Sequence, residues 1–328
     1  MDNQTMDNII RKRRVKKRRR RLKFFRLLVF LVIMSGFGWM GYHVFQWGLH
    51  TFHTYYAIYQ DYEERQNLKQ SAIAPRFTGY TNVLLLGLDD GKADELGQQA
   101  DTILLVSLSK ETGELRCLSI PGGTQAMIAG RTQPEKISHA YAYGGATLTR
   151  QTVTALTGIP VQQYVAVDTK TVAAIVDALG GIDVYAEYDM NYEDPEDNLY
   201  IHIKKGYQHM DGETAQKYLR YRGGELEDVG RVQRQNRFLK AFYERLLQIN
   251  TVKSLPVLVD ILQNRVVTNM EFLDTTQFAG ALHKLSTAAP KTFMLPGVSS
   301  AADSTVWISS EPGMQELLDE MFPETGQE

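Results

Sequence analysis

Apolar residues recur along this chain with two different periods, and the change from one to the other marks its elements. Asn82–Leu88, Thr102–Ser109 and Leu115–Pro121 are short apolar runs of strand length. Gly113 supplies a tight turn between the last two, so they read as a hairpin. Ala146–Leu156 switches to helical spacing and stops at Gly158 and Pro160. A strand is expected at Tyr164–Val167, a helix at Thr169–Leu179 closed by Gly180-Gly181, and a further strand at Ile182–Tyr185. Asp211–Leu219 and Val229–Ile249 read as helices. The remainder, Val252–Leu262, Phe272–Leu285 and Met314–Met321, reads as mostly helical. Strands mixed with helices in this way imply an α/β domain with a central mixed sheet and helices on its faces.

One apolar stretch fits neither pattern. Leu27–Trp47 is interrupted only by Ser35, His43 and Gln46. A helix rising about 1.5 Å per residue would cross a hydrocarbon core with this length. Trp39, Tyr42 and Trp47 gather towards its far end, where amphipathic rings favour the interface. A cleaved signal peptide would have a shorter apolar region and a small-residue cleavage site, so a retained transmembrane helix is expected. The division that follows is a basic tail (1–26), a transmembrane helix (27–47), a stalk (48–79) with helical character in Tyr55–Lys69, and a domain over 80–328.

Charge sharpens this picture. Residues 11–26 hold twelve Lys or Arg, whereas the whole chain carries −2. Allowing for Asp2 and Asp7, residues 27–328 carry −12. A basic head beside an apolar span is a topology signal that also meets anionic lipid; it places the N-terminus in the cytoplasm and the large domain outside the cell. An acidic body argues against nucleic acid as the partner. Cys117 stands alone in an apolar run and reads as a small buried residue.

The densest chemistry lies between residues 218 and 237. Arg220 and Arg222 are two apart and would share a face in an extended segment. Asp228 is placed to cap the following helix. Arg231, Arg234 and Gln235, spaced i, i+3, i+4, share one helical face. Four guanidiniums brought to the first turn of a helix repel one another unless an anion sits among them, and the planar fork of arginine suits phosphate. A solvated face neutralised by Glu225, Glu227 and Asp228 is the competing reading. Asp101 precedes a strand and could hold a divalent cation shared with phosphates, with Asp89 and Asp90 as rivals and a turn aspartate as the plain alternative. Lys136 and His139 are candidates for the same cleft. The seven histidines show no metal-ligand grouping.

These segments, in this order, resemble the LytR-CpsA-Psr (LCP) family: Ala100–Thr102 (ADT), Leu118–Pro121 (LSIP), Lys136–Gly145 (KISHAYAYGG), Val176–Val184, Ile201–Arg222 and Asp228–Gln235. The resemblance implies a three-layer α/β/α domain with a hydrophobic tunnel for a polyprenyl tail. It implies transfer of a glycopolymer, such as teichoic acid or capsule, from an undecaprenyl-pyrophosphate carrier to peptidoglycan. It assigns Asp101 to Mg²⁺ (or Mn²⁺) and Arg220, Arg222, Arg231, Arg234 and Gln235, with Lys136 beside them, to the pyrophosphate. Asp101, Arg220, Arg222 and Arg231 are the implied catalytic set. The chain departs from the family at one place. The usual Arg-Asp after Ser-Ile-Pro is Gly122-Gly123 here, which removes a phosphate ligand and an acidic group. Lys136, Arg116 and Arg131 are the neighbours that could compensate. A polyprenyl-(pyro)phosphate-binding carrier or scaffold is therefore the alternative to an active transferase.

Overall fold

The three leading apolar runs pair with one another at the centre of a six-stranded sheet. A computed structural model of the chain describes residues 39–40, 75–88, 97–195, 199–221, 227–248, 251–270 and 275–323. The chain divides into Met1–Glu64 and Arg65–Glu328. Of the first unit only Trp39 and Met40, which are helical, are described. Among the described residues no helix is long and apolar enough to cross a membrane. The expected span at Leu27–Trp47 otherwise lies outside them, as does the helix expected at Tyr55–Lys69.

The second unit opens with α1 (Pro75–Thr78) and β1 (Tyr80–Leu88). β2 (Ala100–Ser109) and β3 (Leu115–Pro121) follow as the expected hairpin, turning at Gly113, whose φ of 72° suits glycine. Two short strands, β4 (Gln125–Ala126) and β5 (Glu135–Lys136), lead to α2 (His139–Thr157). α2 starts earlier than its apolar spacing suggests, because it bends at Gly144-Gly145, where Gly145 has φ 64°. β6 (Gln163–Asp168) then joins β1 in parallel.

Next come α3 (Thr169–Ala178), β7 (Ile182–Ala186), β8 (Met190–Asp194), β9 (Leu199–Ile203) and β10 (Gly206–Met210). Helix α4 (Gly212–Arg220) is capped by Asp211, whose carboxylate accepts from the Thr214 amide at 2.8 Å. The helical layer is completed by α5 (Glu227–Leu246), α6 (Thr251–Arg265) and, after β11 (Val267–Thr268), α7 (Thr275–His283). The helices expected in the C-terminal part are present, and short strands that its pattern did not predict lie between them. β12 (Lys291–Met294) extends the main sheet beside β3, and β13 (Gly297–Ser299) pairs with β14 (Trp307–Ser309) before α8 (Glu311–Met321). These strands have three or four residues, too few to show a period.

The strand order is β11-β6-β1-β2-β3-β12, with β1–β6 and β3–β12 parallel and the other neighbours antiparallel. The mixed sheet matches expectation. In β1, Leu84, Leu86 and Leu88 are buried while Val83, Leu85 and Gly87 are half-buried, so the two faces differ. The buried face packs with Val153 of α2 and with Leu317, Leu318 and Met321 of α8. The other faces the α3–α6 layer. Three layers result.

The domain reaches further upstream than residue 80. Phe77 is buried, and its ring meets Phe322 edge-on at 4.9 Å; Tyr80 meets the same ring at 4.8 Å. Arg116 fastens this corner, donating to the Tyr80 hydroxyl at 2.9 Å and to the Met321 carbonyl. Cys117 is buried as expected, and burial pushes its thiol up to about 12, so it remains protonated.

Candidate functional site

Between the half-buried face of the sheet and the α3–α6 layer lies a cavity of about 430 Å³. Its walls run in one direction. Along β1 the lining passes from Leu88 to Leu85, along α3 from Thr169 to Ile175, and along α5 from Arg231 to Phe242. Polar groups gather at the first end, near the carboxyl ends of β1 and β6, a common position for sites on α/β sheets. Asp101, Arg220 and Arg231 line that end, while Val165, Val172, Leu239 and Phe242 belong to the apolar remainder.

Asp101 owes its placement to an irregularity. Gly87 pairs with Thr102 but Leu88 with Ala100, so the register shifts and Asp101 has no partner on β1. An extra residue of this kind bends a strand and re-aims its side chain. Thr102, the next residue, accepts a hydrogen bond from the Gln235 amide at 2.8 Å. Ser119 donates to Asn236 Oδ1 at 3.0 Å. These two contacts seat α5 on β2 and β3 at the cavity. Sequence reasoning found Gln235 but missed Asn236 and Ser119, which only the helix–sheet register brings together.

The arginine cluster forms only in part. Arg220 is the last residue of α4, not part of an extended segment, and Arg222 lies outside the described residues. Arg220 and Arg231 both line the cavity. Helix α5 starts at Glu227, so Asp228 falls inside its first turn instead of preceding it. Arg234 is turned away. On α5 the lining positions are 231, 235, 236, 238, 239 and 242. A residue three places after Arg231 lags that face by about 60°, whereas Gln235 leads by only about 40°. Arg234 is 2% exposed and donates to the Tyr188 hydroxyl at 2.7 Å and the Tyr221 carbonyl at 2.6 Å. Its guanidinium also stacks 5.3 Å from the Tyr221 ring centre. Arg234→Ala is expected to cost about 2 kcal/mol, through the carbonyl and hydroxyl left unpaired. Thermal unfolding checks this: a drop of about 4–8 °C is expected. An unchanged melt with lost ligand binding would instead make Arg234 a ligand group.

Lys136 is not among the cavity-lining residues. Its ammonium donates to Thr305 Oγ1 at 2.6 Å, in the loop between β13 and β14. His139 lies 3.4 Å from Glu135, which also accepts from Tyr143 at 2.7 Å and pairs with Arg131 at 2.7 Å. The Tyr143 and Arg131 hydrogen bonds lower the Glu135 carboxyl to about 2. Because that value is depressed, any stabilisation from Glu135 is complete above its ordinary pKa of 4.5 and fades as pH falls towards 2. A side-chain NMR titration of Glu135 is expected to show this low midpoint, and Tyr143→Phe to raise it.

Gly122 and Gly123 differ in the room around them. A Cβ on Gly122 would rest 3.6 Å from the Asp101 carbonyl, an ordinary contact. One on Gly123 would stand 2.1 Å from the Thr305 carbonyl oxygen, an impossible one. The Trp307 amide donates to the Gly123 carbonyl at 3.0 Å, fixing the loop in that position.

For a divalent cation, the described residues contain no group of three or more His, Cys, Asp or Glu placed to hold one. Asp89 and Asp90 lie outside them. Asp168, also at the polar end, caps α3 by accepting from the Thr171 amide at 2.6 Å. One carboxylate at Asp101 still suits Mg²⁺, which commonly binds through one or two carboxylates with substrate phosphates and water.

Known proteins share this plan. The chain is 28% identical over 214 residues to the polyisoprenyl-teichoic acid–peptidoglycan teichoic acid transferase TagV of Bacillus subtilis, a match covering 64% of this chain and 54% of that protein. It is 30% identical over 190 residues to the transferase of the same description, TagU, of Bacillus cereus, covering 58% and 60%. The chain thus spans little more than half the length of these relatives. The crystal structure of B. subtilis TagV superposes with a TM-score of 0.63 at 24% identity, over 75% of this chain and 98% of that one, and establishes the shared fold. Residues 47–322 match the LytR_cpsA_psr family, and the chain belongs to that family.

Proposed function

We propose that the protein is a membrane-anchored transferase that moves a glycopolymer from an undecaprenyl-pyrophosphate carrier to peptidoglycan. The observation that carries this reading is the polarity of the cavity, with Arg220, Arg231 and Asp101 at one end and an apolar lining beyond. A lipid whose headgroup is a pyrophosphate has the same two-part character. The names of the TagU and TagV relatives, teichoic acid–peptidoglycan transferases, support the polymer class. The apolar stretch at Leu27–Trp47 and the basic run before it support the anchor and its orientation.

In the reaction, an acceptor hydroxyl oxygen bonds to the phosphorus that carries the glycopolymer. The bond from that phosphorus to the bridging oxygen breaks, polyprenyl monophosphate leaves, and the hydroxyl proton passes to water. Charge builds on the leaving phosphate, and fixed positive groups there lower the barrier. Arg220 and Arg231 occupy that role, and Gln235, held by Thr102, keeps the headgroup end of α5 in register. Mg²⁺ or Mn²⁺ at Asp101 would add charge neutralisation on the phosphate oxygens.

A second reading, a carrier or scaffold that binds without transfer, is favoured by Gly122-Gly123 and by the loop packed against Gly123. The deciding assay supplies labelled lipid-linked glycopolymer and peptidoglycan oligomers to the full chain in detergent. Labelled peptidoglycan is the expected product. Binding with no product would establish the scaffold, and monophosphate release without acceptor would reveal a hydrolase.

A further inference from the structure

The cavity has a measurable depth, and one aromatic pair marks its far end. The α5 residues lining it share one helical face, so their spacing converts to length. From Arg231 to Phe242 is eleven residues, about 16 Å along the helix axis. Over that distance the lining changes from guanidinium and amide to Phe238, Leu239 and Phe242. Phe242 and Ile175 are the last lining positions on α5 and α3. Behind them, Phe242 and Ile175 pack against Leu179, Leu255 and Leu258, which are at most 3% exposed. In front, the Phe238 and Phe242 rings lie 6.1 Å apart at 18°, a stacked pair. A ring held on both sides cannot swing aside without opening the core that carries it.

We propose that Phe242, braced by Phe238, is the floor that sets how much of a prenyl chain the cavity accepts. The proposal rests on the polyprenyl reading above and adds a length specificity to it. Chain segments that fit above the floor are taken out of water, and each methylene gained there strengthens binding about fourfold. Segments beyond the floor find no lining and add little. Affinity should therefore rise with chain length and then level off.

The test titrates the full chain in detergent micelles with geranyl, farnesyl, geranylgeranyl and longer polyprenyl monophosphates. Wild type is expected to show a plateau. Phe242→Ala should move it to a longer homologue, bound at least tenfold tighter than by wild type. Ile175→Phe, which narrows the same end, should move it to a shorter one. Phe242→Leu, a milder change, should give an intermediate shift if the alanine variant does not fold. A plateau that stays put in the folded variants overturns the floor while leaving the lipid reading intact, as does affinity that climbs without limit in wild type. No binding by any member of the series removes the lipid reading and the floor with it.

Discussion

Arg231→Ala is expected to slow glycopolymer transfer by about 10²–10³, the cost of removing one preorganised charge-stabilising group from a reacting centre. Arg231 stands on the first part of the cavity-lining face of α5, four residues before the Gln235 that locks the helix to Thr102. Its guanidinium can place two parallel hydrogen bonds on a phosphate, which an ammonium cannot. Arg231→Lys should therefore recover part of the rate and little of the headgroup affinity. The same lipid-to-peptidoglycan assay reads both variants, with a thermal melt as the folding control. If Arg231→Ala transferred polymer at the wild-type rate while folded, the headgroup would have to bind elsewhere.

Gly123→Asp is expected to destabilise the domain by about 3 kcal/mol, although aspartate is the residue usual in the family at this place. The obstacle is backbone, not a flexible side chain: the new Cβ would meet the Thr305 carbonyl at 2.1 Å. To admit it, the loop between β13 and β14 must lift, breaking the Trp307–Gly123 hydrogen bond and the bridge from Thr124 to Trp307. Gly122→Arg meets no such obstacle, since its Cβ makes contacts of 3.6–3.7 Å. Gly122 is itself buried, so the variant should lose some stability but less than Gly123→Asp, and it should bind polyprenyl phosphate about tenfold more tightly. Thermal unfolding and lipid titration check the pair. A stable Gly123→Asp protein would show that the loop yields easily.

The strands β1, β2 and β3 were legible because each is a continuous apolar run bounded by turn residues. Asp101 was legible as a carboxylate at a strand edge, but the register shift that exposes it appears only when β1 and β2 are paired. The arginine cluster shows the limit of spacing arguments. Arg231 and Arg234 share a face by the i, i+3 rule, yet only one reaches the cavity. Tyr188, 46 positions away, and the nearby Tyr221 carbonyl claim the other. Lys136 was similarly diverted by Thr305, which lies 169 positions away. Leu199–Ile203 alternates apolar and polar side chains, which become the buried and exposed positions of β9, yet no strand was expected there. The short strands β12, β13 and β14 held no signal to find.

The direction of β1 has a bearing on how a lipid would be presented. The chain comes into the sheet at Tyr80, in the corner sealed by Phe77, Phe322 and Arg116, and reaches the charged end of the cavity only at Leu88. Eight residues of strand place these ends about 26 Å apart. Because α5 descends from Arg231 beside Thr102 to Tyr243 near Cys117, the greasy end of the cavity points back towards the root of the domain. On the function proposed above, a carrier seated this way would lie with its hydrocarbon towards the Tyr80 edge of the sheet and its phosphates at the Leu88 edge, so headgroup and tail would be read at opposite ends of one strand.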